Sequence, residues 1–220
     1  MIKAVLFDMD GLMFDTESLA TKAFIEAAKK QNYEMTKEET HFVLGFKPEA
    51  IYNFYENYFK DKEVDGKKLV KDHYEYLEHV LFTTGPDKMP YLEELLIYLK
   101  TNNYKIAVAS SSDLEHINNN LEKTGVKKYI DTVASGEEVE NGKPAPDVFL
   151  LAADRLGIEI EKCMVLEDSV SGMRAGYLSG AKAVMIPDSI QPDEYIKSIA
   201  YEVLDSLKEV INLLEEKKNG

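Results

Sequence analysis

The 220-residue sequence holds one cysteine and no tryptophan, and it sets 26 Lys and Arg against 40 Asp and Glu. Each shortage removes a class of function. A lone thiol, Cys163, forms no intrachain disulfide and leaves no cysteine set for a zinc or iron–sulfur site. Its neighbours Met164, Val165 and Leu166 predict a buried, inert thiol. The formal charge of −14 offers no broad basic surface to a phosphate backbone, so no nucleic acid polymer is expected as a partner. A small anionic substrate remains compatible, because a local lysine or metal reverses the field. No apolar run is long enough to span a bilayer, and the amino terminus lacks an apolar segment of signal-peptide length. The expectation is a soluble, cytoplasmic monomer with no membrane partner. The histidines, at 41, 73, 79 and 116, show no metal-ligand spacing, and His41 and His73 read as packing or surface residues.

What is present suits a folded protein: 45% apolar residues, charges dispersed rather than gathered in tails, and length for one large core or a core plus an insert. Ile2 to Phe7 reads as a buried strand. Ala20, Ala23, Phe24 and Ala27 then recur at helical spacing. Residues 48–60 place Ile51, Phe54, Tyr55, Tyr58 and Phe59 on one stripe, and Leu69, Val70, His73, Tyr74, Leu77, Val80 and Leu81 form another. No strand is evident between about 16 and 81. After Thr83-Thr84-Gly85-Pro86 the pattern alternates. Helical faces near 91–99, 113–123, 146–156 and 169–179 interleave with apolar strands at 105–109, 130–134, 163–167 and 182–186. A last helix is predicted near 201–216, with Val203, Leu207, Val210, Ile211 and Leu214 on one side. Apolar strands alternating with helices predict a mostly parallel sheet covered on both faces. The first strand belongs with that sheet, so residues 1–15 and 82–220 form an α/β core and residues 16–81 an inserted helical domain. Two crossings would let the insert close like a lid.

Polar groups gather where the strands end. Asp8-Met9-Asp10-Gly11 follows the first strand; Ser110, Ser111 and Ser112 follow Ile106-Ala107-Val108-Ala109. Lys143 lies in Gly142-Lys143-Pro144-Ala145-Pro146-Asp147, and Glu167-Asp168-Ser169 follows Met164-Val165-Leu166. Taken singly, Ser110, Ser111 and Asp113 suit helix capping, Lys143 an exposed loop and Glu167-Asp168-Ser169 a helix start. Two carboxylates one residue apart at the end of a buried strand are harder to explain without a cation or a shared proton. In a parallel sheet all these ends meet on one rim. Carboxylates with one lysine fit a phosphoryl-transfer centre, where Mg²⁺ prefers oxygen ligands and Lys143 and Ser110 would meet phosphoryl oxygens.

These residues resemble the motifs of the haloacid dehalogenase-like superfamily, in the branch that contains β-phosphoglucomutase and small phosphatases. Asp8-Met9-Asp10-Gly11 with Asp15-Thr16-Glu17 resembles the first motif, Ser110 the second, Lys143 in Gly-Lys-Pro-x-Pro-Asp the third and Glu167-Asp168-Ser169 the fourth. The likeness spans essentially the whole chain. It implies a Rossmann-like, mostly parallel sheet core with an inserted all-α cap. It also implies a small phosphorylated metabolite as substrate. Asp8 would be the nucleophile and Asp10 the acid and base. Mg²⁺ would sit on the Asp8 and Asp168 carboxylates and the Asp10 backbone carbonyl, with Glu167 as outer or alternate metal partner. Substrate contacts are expected at Thr16, Gly45, Phe46, Lys47 and Ser111.

The family's mutases carry a histidine where this chain has Ala20 and a cap-loop arginine where Leu44-Gly45-Phe46-Lys47-Pro48-Glu49 offers proline, with Lys47 one step earlier. Ala20 cannot exchange a proton, and a lysine does not reproduce an arginine fork. The expected activity is therefore hydrolysis of a phosphate monoester, with a phosphosugar favoured. A phosphomutase, or a catalytically weak interaction protein on the same fold, is the alternative.

Overall fold

The computed structural model describes residues 1–44, 46–188 and 191–219, the side chains of 217–219 excepted. The chain divides into two compact units, Met1–Asp15 with Asp87–Gly220 and Thr16–Pro86. It opens with β1 (Ala4–Phe7), then leaves the sheet for the helical unit: α1 (Thr16–Lys29), α2 (Lys37–His41), α3 (Pro48–Tyr58) and α4 (Gly66–Thr83). It returns with α5 (Leu92–Thr101), β2 (Lys105–Ser110), α6 (Leu114–Lys123), β3 (Thr132–Ser135), α7 (Asp147–Leu156), β4 (Cys163–Glu167), α8 (Val170–Ser179), β5 (Lys182–Met185), α9 (Glu194–Ile199), β6 (Glu202–Val203) and α10 (Leu207–Asn219).

The helical unit is held by the apolar stripes read from the sequence. Phe24, Ala27, Tyr55, Phe59, Leu69 and Val70 form its buried centre. A Cβ on Gly66 would collide with the Tyr55 carbonyl, so α4 starts hard against α3 because that residue has no side chain. The short α2, absent from the sequence expectation, is fixed by a reciprocal cap: Thr36 Oγ1 accepts from Glu39 N, and Glu39 Oε2 accepts from Thr36 N at 2.9 Å. Tyr33 and Tyr58 each donate a hydroxyl to Glu39 Oε1 at 2.6 Å. Burial opposes the charge of Glu39, but these donors outweigh it and hold the carboxyl down at about 2.

In the other unit the six strands among the described residues are all parallel, in the order β3-β2-β1-β4-β5-β6. Alternate residues face opposite sides. Val5, Phe7, Ile106, Val108, Met164 and Leu166 pack under residues of α5, α6 and α10, whereas Ala4, Leu6, Ala107, Ala109, Ala134 and Cys163 pack under α7 and α8. The second face is built mainly from small side chains, so α7 settles close to the sheet. Cys163 is buried, and burial pushes its thiol up to about 11, which matches the expected inert role.

The carboxyl-terminal part differs from the sequence expectation. Residues 202–203 are a sheet edge, and the last helix begins at Leu207 rather than near 201. Tyr201 N donates to Ala183 O at 2.7 Å and Leu204 N to Met185 O at 2.9 Å, so the main chain satisfies the open edge of β5 instead of starting a helix. Val203, assigned to the apolar side of that helix, is exposed.

Candidate active site

The order of the sheet sets where chemistry can sit. From β1 the chain steps to β2 and β3 on one side, then crosses to β4 and β5 on the other, so the switch point lies at the carboxyl ends of β1 and β4. Asp8 follows β1, and Glu167 and Asp168 close β4. The Asp8 amide stays in the ladder, donating to Leu166 O at 3.0 Å, which seats its carboxylate beside the β4 end.

Lys143 comes from the loop before α7. The small face of the sheet brings that helix close, and the lysine Nζ lies over the Phe149 ring, 4.8 Å from its centroid. Its Nζ donates to Asp8 Oδ1, to Glu167 Oε1 at 2.7 Å and to Ala109 O at 3.1 Å. All three protons of the ammonium are thereby used. The Lys143 side chain is 6% exposed. Burial opposes its charge, but Asp8 and Glu167 outweigh that and raise its pKa above the ordinary lysine value.

The carboxylates outnumber this single cation. Burial pushes the Asp8 carboxyl well above the ordinary range. Lys143 pulls it back, and Glu167, Asp10 and Asp168 push it further up. Burial, followed by Glu167, raises Asp168 to about 7. Glu167 spends both oxygens: Oε1 on Lys143, and Oε2 on the Ser169 amide and hydroxyl at 3.1 and 2.9 Å. Asp168 Oδ1, by contrast, is buried and accepts no hydrogen bond. Oxygens of Asp8, Glu167 and Asp168 lie within 4.8 Å of one another. A carboxylate-rich cluster with a buried, unsatisfied oxygen and a shortage of positive charge fits a hard cation.

Two glycines make the cluster sterically possible. Gly11 has φ +82°, and a Cβ there would strike the Asp168 carboxylate. A Cβ on Gly172, in the first turn of α8, would overlap the Glu167 carboxylate. The sequence reading passed over Gly172, although a glycine one turn into a helix that follows two acids is a usable signal.

The serine run resolves into distinct roles. Ser110 is buried at the end of β2 and its Oγ accepts from the Ser112 amide at 3.0 Å. Ser112, to which no site role had been given, donates its hydroxyl to Asp10 Oδ2 at 3.0 Å. Ser111 is exposed. Asp113 and Ser169 are the N-caps of α6 and α8, so helix capping does account for part of both motifs. The structure thus brings together Asp8, Asp10, Ser110, Lys143, Glu167 and Asp168. The remaining candidates lie in the helical unit: Thr16 opens α1, Phe46 is exposed, and Lys47 is the N-cap of α3 with no capping hydrogen bond from its side chain. Gly45 lies outside the described residues. No helix among the described residues is long and apolar enough to cross a membrane. His73 packs in the helical unit, as expected, stacked on Phe24.

The chain is similar along almost its full length to the phosphorylated carbohydrates phosphatase of Thermotoga maritima, at 28% identity over 98% of this chain and 99% of that one. It is 30% identical to the (DL)-glycerol-3-phosphatase 1 of Arabidopsis thaliana over 94% of this chain and 70% of that protein. Among solved structures, CbbY from Rhodobacter sphaeroides in complex with phosphate superposes with a TM-score of 0.71 at 25% identity, covering 96% of each chain. The family profile of haloacid dehalogenase-like hydrolases matches residues 5–186, which contain every strand end of the carboxylate cluster. With its parallel sheet, inserted helical cap and aspartate-centred site, this chain belongs to the haloacid dehalogenase-like hydrolases.

Proposed function

We propose that the chain is a Mg²⁺-dependent phosphatase that hydrolyses a small phosphate monoester, with a phosphosugar as the favoured class, through an aspartyl phosphate on Asp8. The observation that carries this reading is the buried arrangement of Asp8, Lys143, Glu167 and Asp168 at the switch point of the sheet. Three carboxylates around one ammonium make a poor structural salt bridge, but they make a good receptor for a cation and a phosphoryl group.

In the first step an Asp8 oxygen attacks phosphorus. The bond from phosphorus to the ester oxygen breaks, and that oxygen takes a proton from Asp10 as it leaves as an alcohol. In the second step water attacks the same phosphorus and gives its proton to Asp10. The phosphorus–Asp8 bond breaks, releasing inorganic phosphate and restoring both aspartates. Lys143 balances charge on the equatorial phosphoryl oxygens, and the Ser110 hydroxyl donates to one of them. Asp8 and Asp168, with the Asp10 carbonyl, would hold Mg²⁺, and Glu167 would act from behind them. Bound Mg²⁺ supplies positive charge next to the phosphoryl oxygens.

Substrate choice is assigned to Thr16, Phe46 and Lys47 of the helical unit; Ser111 is a separate candidate contact in the core unit. The carbohydrate-phosphate relative supports the phosphosugar preference. Ala20 supports water as the acceptor, because a methyl group neither binds a second sugar hydroxyl nor relays its proton. The test is a phosphate-release screen over phosphosugars, nucleotides and other metabolites, with Mg²⁺ and with chelator, alongside Asp8→Asn. Release that needs both Mg²⁺ and Asp8 is expected. Undiminished hydrolysis by Asp8→Asn would defeat the mechanism. Conversion of a sugar 1-phosphate to its isomer by NMR, with little phosphate release, would replace hydrolysis with mutase activity.

A further inference from the structure

Ser112 makes three hydrogen bonds, and each group has one task. Its amide donates to Ser110 Oγ at 3.0 Å, its carbonyl accepts from Ser135 Oγ at 2.7 Å, and its hydroxyl donates to Asp10 Oδ2 at 3.0 Å. The first two are anchors. Ser110 and Ser135 pair in register at the ends of β2 and β3, and both are buried. Beyond Ser135, Gly136 lets the strand end press on the turn: a Cβ there would lie 2.8 Å from the Ser111 carbonyl. The turn 110–112 is therefore held between two strand ends, independently of β1 and its aspartates.

The hydroxyl is not needed for local structure. The helix that follows is capped by Asp113, whose Oδ1 accepts from His116 N at 2.8 Å. A serine side chain has only one proton to give, and here it goes to a residue 102 positions away in sequence.

We infer that Ser112 is a positioning residue for Asp10, fixing the carboxyl rotamer so that Oδ2 accepts and Oδ1 carries the proton passed to the leaving group. The inference rests on the phosphatase reading for the role of Asp10, but its geometry stands alone. A hydrogen bond to Oδ2 fixes the plane of the Asp10 carboxyl, and with it the place of Oδ1. Rigid placement of that oxygen matters most when the departing oxygen is a strong base, because proton transfer is then furthest advanced in the transition state. Ser135 and Gly136 act one step behind, by holding the Ser112 main chain.

The experiment compares wild type, Ser112→Ala, Ser112→Thr and Ser135→Ala across alkyl and aryl phosphates of graded leaving-group basicity, reading kcat/KM, which reports the phosphorylation half-reaction. Crystals of Ser112→Ala are examined in parallel for the Asp10 rotamer. Ser112→Ala should lose about 10- to 100-fold on alkyl phosphates, on the order of one hydrogen bond to the carboxylate that forms as Asp10 gives up its proton. It should stay within about threefold on activated aryl esters, where the acid contributes little. Ser112→Thr should recover most of the loss, and Ser135→Ala should show the same leaving-group pattern at smaller amplitude. Equal losses across the series, or no rescue by threonine, would overturn the inference while leaving the phosphatase reading intact. If wild-type hydrolysis proves independent of Asp8, the phosphatase reading falls. The crystals then still decide the positioning: a turned Asp10 carboxyl supports it and an unmoved one refutes it.

Discussion

His73 gives the helical cap a measurable sensitivity to acid. The ring lies on α4, 3% exposed, stacked on Phe24 with centroids 3.6 Å apart and planes 15° from parallel, and its Nδ1 is buried without a partner. Charging the imidazole there means solvating a cation with a phenyl face, and burial lowers its pKa from 6.5 to about 4. Between those values the unfolded chain binds the proton and the folded chain does not. Stability from this residue is thus complete above pH 6.5 and is lost as the pH falls toward 4. The full span of 2.5 units (6.5 minus 4) corresponds to about 3 kcal/mol, of which about 2 kcal/mol is gone by pH 5. For a chain of this size that is roughly 4–8 °C in Tm. The assay is urea and thermal unfolding of wild type and His73→Phe at pH 7.5, 6 and 5, each referred to its own value at pH 7.5. That reference cancels the packing cost of the larger ring. It also cancels every other titrating group, including Asp168, whose raised pKa acts in the opposite direction. Wild type should lose about 2 kcal/mol more than the variant by pH 5. Parallel pH profiles would refute the claim that this ring is buried neutral.

Further outcomes follow from other sites. Asp168, raised to about 7, is an acid whose apo-state contribution to stability falls as the pH rises from 3.8 to 7, so Mg²⁺ binding at pH 6 should release a proton. Calorimetry in two buffers of different ionisation enthalpy should detect more proton release in wild type than in Asp168→Asn, which keeps the raised Asp8 carboxyl, and equal proton release in both would remove Asp168 from the metal site. Gly172→Ala should displace Glu167 and cost about 1–3 kcal/mol through overpacking, with activity falling further than stability; wild-type turnover in that variant would show that the carboxylate can sit elsewhere. Glu39→Gln should cost about 1–3 kcal/mol by weakening the acceptor of two tyrosine hydroxyls, measured by denaturant unfolding at pH 7.

The α/β order was readable because it rests on period. Four-residue apolar runs such as Ala4–Phe7 bounded by polar turns have few alternatives, and the stripe on α4 has 18 residues over which to declare itself. What escaped were elements too short to have a period: α2, whose identity lies in its capping box, the six-residue α9, and β6, a two-residue edge that exists because β5 had unpaired groups. The site shows the same division. Residues at strand ends could be placed on one rim by topology alone, which covers Asp8, Asp10, Ser110, Lys143, Glu167 and Asp168. Ser112 lies in the turn just past β2, where no strand period reaches, so its contact with Asp10 appears only in three dimensions. Gly172 is signalled by its place one turn into a helix that follows two acids, whereas the clearances that require Gly11 and Gly136 belong to three-dimensional packing.

The central place of β1 has a consequence for how the molecule is made. Ala4 pairs with Lys105 on one side and Cys163 on the other, so β1 has no sheet partner until a long stretch of chain has followed it. At roughly 5–20 residues per second the wait for β2 lasts on the order of 5–20 s, and the wait for β4 longer. Throughout it, a fully apolar strand with both edges open is tethered to the two aspartates. The helices between, whose contacts are local, can assemble in the meantime. The strand that carries Asp8 is therefore made well before either partner and sheltered late, which makes nascent chains ending between β1 and residue 105 the form most exposed to aggregation.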